Sequence, residues 1–175
     1  MNDPVALGDI DPIDRLAILA AALPGAAVRQ RRIAAPFDAV WGVIADMEHA
    51  TPRYEPGVAR VRVIEQSGEF LRLLVQDTAG REETMDARLR PGWCLMQSAT
   101  VVIAFAARRL DSETLLAHLE HRRAQTAVPG RSGSHYRRAA LAKIDQELHT
   151  IEGSLPTMGA EFLVSNKHYL LVGVD

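Results

Sequence analysis

Between Val58 and Arg123 the chain is a succession of six short segments in which apolar and polar side chains alternate. Val61 and Val63, for example, alternate with arginines. A period of two is typical of β-strands with one buried face. Only short turns separate the segments, whereas parallel strands would need crossovers of a dozen or more residues. The sequence therefore predicts an antiparallel meander of six consecutive strands.

A strand over about 27–34 and an amphipathic helix are predicted before this meander. The apolar residues of the helix recur at steps of three and four, which places them on one face: Phe37, Val40, Trp41, Ile44 and Met47. Such a face must be covered by other parts of the fold, so we expect Trp41 to be buried.

A long helix is predicted after the meander, from about Ser134 to Leu155. Its apolar residues form a narrow seam: Leu141, Ile144, Leu148, Ile151 and Leu155. Its charged residues are expected on the solvent-facing sides: Arg137, Arg138, Lys143, Glu147 and Glu152.

Three further segments lie outside this core. Residues 1–26 are predicted to be an extension with a short helix, which Asp11 caps and Pro12 begins. Residues 124–134 are rich in Gly, Pro and Ser and predict a flexible loop. Residues 156–175 form a tail whose apolar stretch, 169–174, is expected to be an extra edge strand or a homodimer contact.

Composition limits the class of protein. The chain has 175 residues, 20 basic and 22 acidic side chains and a net charge of −2, which gives no general attraction to nucleic acid. One cysteine, Cys94, excludes an intrachain disulfide and fits a reducing compartment. There is no apolar run long enough to cross a bilayer and no secretory signal pattern, so we expect a cytoplasmic protein without stable membrane insertion.

The segment from Ala35 to Asp46 reads A-P-x-x-x-V-W-x-x-I-x-D. Together with the order of strands and helices, it resembles the START-like polyketide cyclase/dehydrase and lipid-transport superfamily (SRPBCC proteins). The resemblance runs from about Val28 to Leu155. It implies an α+β helix-grip fold, in which a curved antiparallel sheet of about seven strands wraps around the long C-terminal helix, with short helices after the first strand. A START-like domain over residues 27–155 is therefore expected.

A bent sheet does not contact one helix along its whole length, so we expect an apolar cavity between the two. Strand parity predicts the residues that face into it. These are Leu73, Val75, Met85, Ala87, Leu95, Ile103, Phe105, Leu119, Ile144 and Leu148, with Tyr54 overhanging the mouth. Each of these positions is also consistent with an ordinary core residue.

Catalytic patterns are scarce. No nucleophile elbow, phosphate-binding loop or zinc spacing occurs, and neither a metal nor a cofactor is predicted. His118 and His121 are an odd number of residues apart on one strand, so they point to opposite faces. His121 shares the parity of Leu119, which makes it the candidate general base, but the favoured interpretation is a surface histidine at the end of a strand. Asp77 and Gln97 are the further catalytic candidates.

Three hypotheses follow for function. The first is binding or transport of a small hydrophobic molecule, such as a lipid, quinone or polyketide, in the cavity. The second is a polyketide cyclase/dehydrase-like enzyme, in which positioning supplies much of the catalysis and no recognisable triad is required. The third is a protein interaction module, which an exposed apolar patch would favour.

Overall fold

The computed structural model describes residues 10–123 and 133–155. The predicted loop falls largely outside these residues, and the predicted tail wholly so. The elements are α1 (Pro12–Ala22), β1 (Ala27–Ile33), α2 (Phe37–Ala45), α3 (Thr51–Tyr54), β2 (Val58–Ser67), β3 (Phe70–Asp77), β4 (Glu82–Arg90), β5 (Trp93–Gln97), β6 (Val101–Leu110), β7 (Glu113–Arg122) and α4 (Gly133–Ser154).

The seven strands form one antiparallel sheet in the order β1-β7-β6-β5-β4-β3-β2. Strands β2 to β7 follow one another as hairpin neighbours, which confirms the predicted meander. Strand β1 lies at the edge of the sheet and pairs with β7, so that Ala27 lies opposite Glu120. A sheet of this order with a long C-terminal helix and short helices after β1 confirms the predicted helix-grip α+β fold.

The inner face of the sheet is the face that α4 covers. Ile144, Leu148 and Ile151 of α4 are buried there, as the spacing of the seam predicts. Helix α2 contributes Trp41 and Ile44 to the same apolar cluster. Since side chains from α2, α4 and all seven strands share this cluster, it is the main core of the fold.

The outer face of β5–β7 is also covered, by α1. Asp11 caps α1, because its Oδ1 accepts the backbone N–H of Ile13 at 2.8 Å. Ile13 and Leu16 then pack in a second buried cluster with Trp93 and other outer-face residues of β5–β7. Residues 10–26 thus add a layer to the fold. The division of the chain at residue 26 stays a prediction.

The turn between β4 and β5 brings the sheet close to α1. Gly92 has φ +76°, a backbone conformation that favours glycine. A Cβ at this position would lie 2.9 Å from the carbonyl oxygen of Ala107 and 3.3 Å from Cγ of Pro12. Glycine is therefore required here by conformation and by space.

No helix within residues 10–123 and 133–155 is both long and apolar enough to span a membrane.

Candidate functional site

Five charged or titratable side chains meet between the inner face of the sheet and helices α3 and α4. They are Glu55, His118, Glu120, Lys143 and Glu147, and we call them the His118 cluster. Glu55 directly follows α3, the second and third members lie on β7, and the last two lie one helical turn apart on α4. Burial of charged groups opposes folding, so such a cluster in an apolar core marks a candidate functional site.

His118 lies at the buried end of the cluster. Its Nδ1 is 3.0 Å from the carbonyl oxygen of Ala104, and its Nε2 is 2.7 Å from Oε2 of Glu147. Both His118 and Glu147 have side chains only 1% exposed. A carbonyl oxygen only accepts, so the hydrogen-bond network assigns the Nδ1 proton to His118. One further proton then lies between Nε2 and Glu147.

Lys143 lies at the rim of the cluster, with a side chain that is 35% exposed. Its ammonium group donates to Glu55 and to Glu120. It also lies 2.6 Å from Oε1 of Glu147. That buried oxygen accepts no hydrogen bond from the described residues, and the ammonium group is its ion-pair partner. The cluster therefore runs from a buried imidazole–carboxylate pair to an ammonium group in contact with water.

The neighbouring charges shift the pKa values of the cluster. Burial opposes ionisation of Glu147, but the hydrogen bond with His118 and the charge of Lys143 hold its pKa below the usual range. Burial and the adjacent Glu147 raise the pKa of Glu55, against the effect of Lys143. For Lys143, burial lowers the pKa, but the three carboxylates outweigh it and raise the pKa above its ordinary value. The arrangement therefore contains carboxyl groups of different acidity within one buried site.

Aromatic and aliphatic side chains surround the cluster. Phe105 lies opposite His118 in the β6–β7 register and stacks on it, and Tyr54 meets Phe105 edge-on at 6.0 Å between ring centroids. Two pairs further along, and therefore on the same face of the sheet, Ile103 lies opposite Glu120. Opposite residues of an antiparallel pair project on the same side. A charged and an apolar side chain therefore lie side by side on the inner face.

Most of the predicted cavity residues lie on the inner face of the sheet or on the side of α4 that packs against it. The buried members of the inner cluster are Leu73, Met85, Ala87, Phe105, Ile144 and Leu148. Val75 and Ile103 are half-buried and pack against it. Their orientation agrees with the predicted parity, and their role in ligand binding stays a prediction.

Three of the expected positions are wrong. Leu95 and Leu119 pack in the outer cluster with α1, so they face away from α4. The physical reason is that β5 and β7 are apolar on both faces. Alternation along these strands therefore does not show which face lies toward α4. Tyr54 does not overhang a mouth: it is buried in the inner cluster, and its hydroxyl lies 3.3 Å from Oγ1 of Thr51.

The predicted catalytic candidates do not come together on the inner face. His121 and Gln97 both lie opposite Val102, a member of the outer cluster, so they belong to the outer side of the sheet. Asp77 ends β3, where it accepts from the backbone and side chain of Arg81. The alternative that places His121 inside the cavity is therefore wrong, and its position near the end of β7 on the outer side agrees with the favoured interpretation.

The titratable residues that do meet on the inner face escape the sequence prediction. Strand parity places His118 on the face opposite to the cavity, and the helical pattern places both Lys143 and Glu147 on the solvent-facing sides of the helix. Glu147 is buried instead. The sequence could have predicted this burial, because Glu147 lies three residues after Ile144 and four before Ile151, which is the spacing of the apolar seam.

Packed side chains occupy much of the space in which a cavity was predicted. Leu73, Ile144 and Leu148 are each at most 1% exposed, so little open space lies against them. Other apolar residues beside the inner cluster are only half-buried; they include Val75, Val101, Ile103, Ala140 and Leu141. Two open depressions of about 630 Å³ and 550 Å³ lie along β2–β5, and none of the described residues that line them belongs to α4.

Solved structures with the same architecture cover about three quarters of the chain. The crystal structure of TTHA0849 from Thermus thermophilus has a TM-score of 0.60 and 15% identity, over 73% of this chain and 94% of its own. A START superfamily protein from Mycobacterium smegmatis has a TM-score of 0.55 and 17% identity, over 74% and 96%. The fold is START-like. The Zhui aromatase/cyclase from Streptomyces sp. R1128 has the same START-like fold, with a TM-score of 0.51 and 20% identity, over 73% and 91%.

No protein-family model matches the sequence, and no curated protein matches it significantly. At identities of 15–20% the solved structures establish the START-like fold alone. Function must therefore be argued from the residues of this chain.

Proposed function

We propose that this protein binds a small hydrophobic molecule, such as a lipid, quinone or polyketide, between the inner face of the sheet and α4. The observation that carries the proposal is the pairing of half-buried Ile103 with Glu120 of the His118 cluster. A ligand whose apolar part lies against Ile103 would place its polar end at the cluster. Ligand sites of this kind combine an apolar lining with a few polar groups that fix orientation.

The rim of the cluster supports this placement. Lys143 is the most exposed member, and it contacts both Glu55 beside α3 and Glu120 on β7. The half-buried apolar residues Ala140 and Leu141 lie within one turn of it on α4. A ligand that enters beside Lys143 therefore meets apolar side chains and charged groups together.

Binding can be tested with Nile red, a neutral apolar fluorescent dye, and the variant Ile103→Trp. The larger side chain occupies the space beside Ile103 in which the dye would lie, so we expect the affinity for the dye to fall at least tenfold. Ile64→Trp is the matched control, since Ile64 is 45% exposed on β2 and its substitution should leave the affinity unchanged. Circular dichroism checks that both variants fold, because overpacking destabilises by about 1–3 kcal/mol. Equal affinities in the two folded variants would contradict the proposed site.

A second candidate function is acid–base catalysis of cyclisation or dehydration of a polyketide-like chain. The buried His118–Glu147 pair favours it, because a shared proton beside an ionised carboxylate can supply both an acid and a base. His118→Gln should then abolish turnover of a poly-β-ketone substrate while Nile red still binds. His121→Gln, on the outer side, should leave turnover unchanged. Absence of turnover by the unmodified protein would reject this candidate and leave the binding proposal standing.

A further inference from the structure

We propose that His118, Glu120 and Glu147 form a binding site for a first-row divalent metal ion. One potential ligand atom from each residue lies within 4.8 Å of the other two. Nε2 of His118 is 2.7 Å from Oε2 of Glu147 and 3.8 Å from Oε1 of Glu120. Two ligands of one zinc-sized ion lie about 3.3 Å apart, given metal–ligand bonds of about 2.0–2.2 Å. Small side-chain movements would therefore bring all three atoms into coordination.

The orientation of the imidazole fits a metal ligand. Its Nδ1–H donates to the carbonyl oxygen of Ala104, which directs the Nε2 lone pair toward the two carboxylates. Metal-bound histidines almost always donate their other ring N–H to a carbonyl or carboxylate in this way. Two acceptors such as Nε2 and a carboxylate oxygen repel each other unless a proton or a cation lies between them.

Glu147 provides an independent indication. Its side chain is 1% exposed, and its Oε1 has only the ammonium group of Lys143 beside it, at 2.6 Å, with no hydrogen bond from the described residues. Buried carboxylate oxygens are normally saturated by hydrogen bonds. An oxygen held by a cation alone can exchange the ammonium group for a metal ion, which would coordinate this carboxylate directly.

The charge balance of the His118 cluster also favours a divalent cation. The bridging proton and the ammonium group of Lys143 provide two positive charges against three carboxylates. Replacing the bridging proton by a divalent ion makes the cluster neutral. In that state Lys143 remains paired with Glu55 alone. Its side chain is 35% exposed and can move toward water without leaving a buried charge.

The ligand set indicates which ions fit. One imidazole nitrogen and two carboxylate oxygens suit zinc, manganese, iron(II) or cobalt(II) rather than a soft ion. The sequence shows no metal spacing because two ligands lie on β7 and the third on α4, far apart in the chain.

The site is tested by titrating the full chain with Co²⁺ and monitoring the visible ligand-field absorption of the bound ion. We expect saturable binding of one ion per chain, weakened at least tenfold in His118→Gln, Glu120→Gln and Glu147→Gln. His121→Gln and Asp77→Asn are matched controls of the same chemistry on other parts of the sheet, and both should bind Co²⁺ as the unmodified chain does. Lys143→Gln should tighten binding, because it removes the competing ammonium group.

Two outcomes would overturn the proposal: absence of saturable Co²⁺ absorption, or equal binding by the Glu147→Gln and Asp77→Asn variants. Circular dichroism shows which variants fold, and the rim variant Glu120→Gln preserves the test if the two buried substitutions unfold the protein. The absorption reports the metal alone, so it is independent of Nile red binding and of turnover.

Discussion

The imidazole ring of His118 lies flat against the phenyl ring of Phe105, with centroids 3.9 Å apart and planes 7° apart. The two residues are opposite each other on β7 and β6. Because the ring edge of His118 carries its hydrogen bonds, Phe105 is free to cover one face of the ring. The phenyl ring thereby fixes the plane in which Nε2 points at Glu147.

Phe105→Ala is expected to lower the free energy of unfolding by about 3–5 kcal/mol, since it empties a buried site in the inner cluster. Urea unfolding followed by circular dichroism measures the change. Phe70→Ala is the matched control, because Phe70 is 57% exposed and its ring meets only the guanidinium of Arg88 among aromatic and cationic contacts of the described residues. Its substitution should change the free energy by less than about 1 kcal/mol. Similar losses in both variants would show that the stack contributes nothing specific.

Glu147→Gln is expected to lower the free energy of unfolding by about 3–5 kcal/mol at pH 7, because it removes one partner of a buried pair. The pKa of Glu147 is lowered in the folded state by its hydrogen bond with His118 and by Lys143, against the effect of burial. Its ionisation therefore stabilises the fold above the ordinary carboxyl pKa, and this contribution is lost as the pH falls through the lowered value.

The difference between the two proteins should consequently shrink below about pH 4. Urea unfolding at several pH values between neutral and acid measures it. Glu82→Gln, at an exposed position of β4, serves as the control and should change stability by less than about 0.5 kcal/mol throughout. A difference for Glu147→Gln that is independent of pH would contradict the assigned ionisation.

Cys94 should be unreactive in the folded protein. Burial raises the pKa of its thiol to about 12, and the thiolate is the reactive form. Labelling by iodoacetamide at pH 8 should be at least about a hundredfold slower in buffer than in denaturing urea. Mass spectrometry of timed samples measures both rates. Comparable rates would place Cys94 at the surface and contradict the inner cluster.

Helix α1 should contribute to global stability. Leu16 is fully buried against the outer face of the sheet, whereas Ile18 on the same helix is 60% exposed. Leu16→Ala should lower the free energy of unfolding by about 2–5 kcal/mol, and Ile18→Ala by less than about 0.5 kcal/mol. If Leu16→Ala left the urea midpoint unchanged, α1 would not be part of the cooperative unit.

The sequence predicts the fold well because local signals agree with one another. The turns from Ser67 to Asp111 are short, so only an antiparallel order is available to β2–β7. The apolar steps around Trp41 and Ile144 then place α2 and α4 on that sheet. Each of these patterns concerns neighbours along the chain, which is the information that a single sequence contains.

The His118 cluster is less accessible to sequence analysis. Strand β7, which lies between β1 and β6, is apolar at Leu116 and at Leu119. These two residues lie on opposite faces, because α4 covers one face and α1 the other. Alternation on such a strand shows that two faces exist but not which one faces inward. The parity argument consequently places His118 on the wrong side. A charged residue on the apolar seam of a helix, such as Glu147, is the signal that reverses this expectation.

The pairing of β1 with β7 also affects how the chain folds during synthesis. Strand β1 leaves the ribosome before its partner β7, which follows only after the rest of the meander. The delay is several seconds at roughly 5–20 residues per second. Arg29, Arg31 and Arg32 keep this unpaired strand charged during the delay, a pattern that discourages contact with other nascent chains. The same arginines afterwards form ion pairs with Asp145, Glu152 and Glu113.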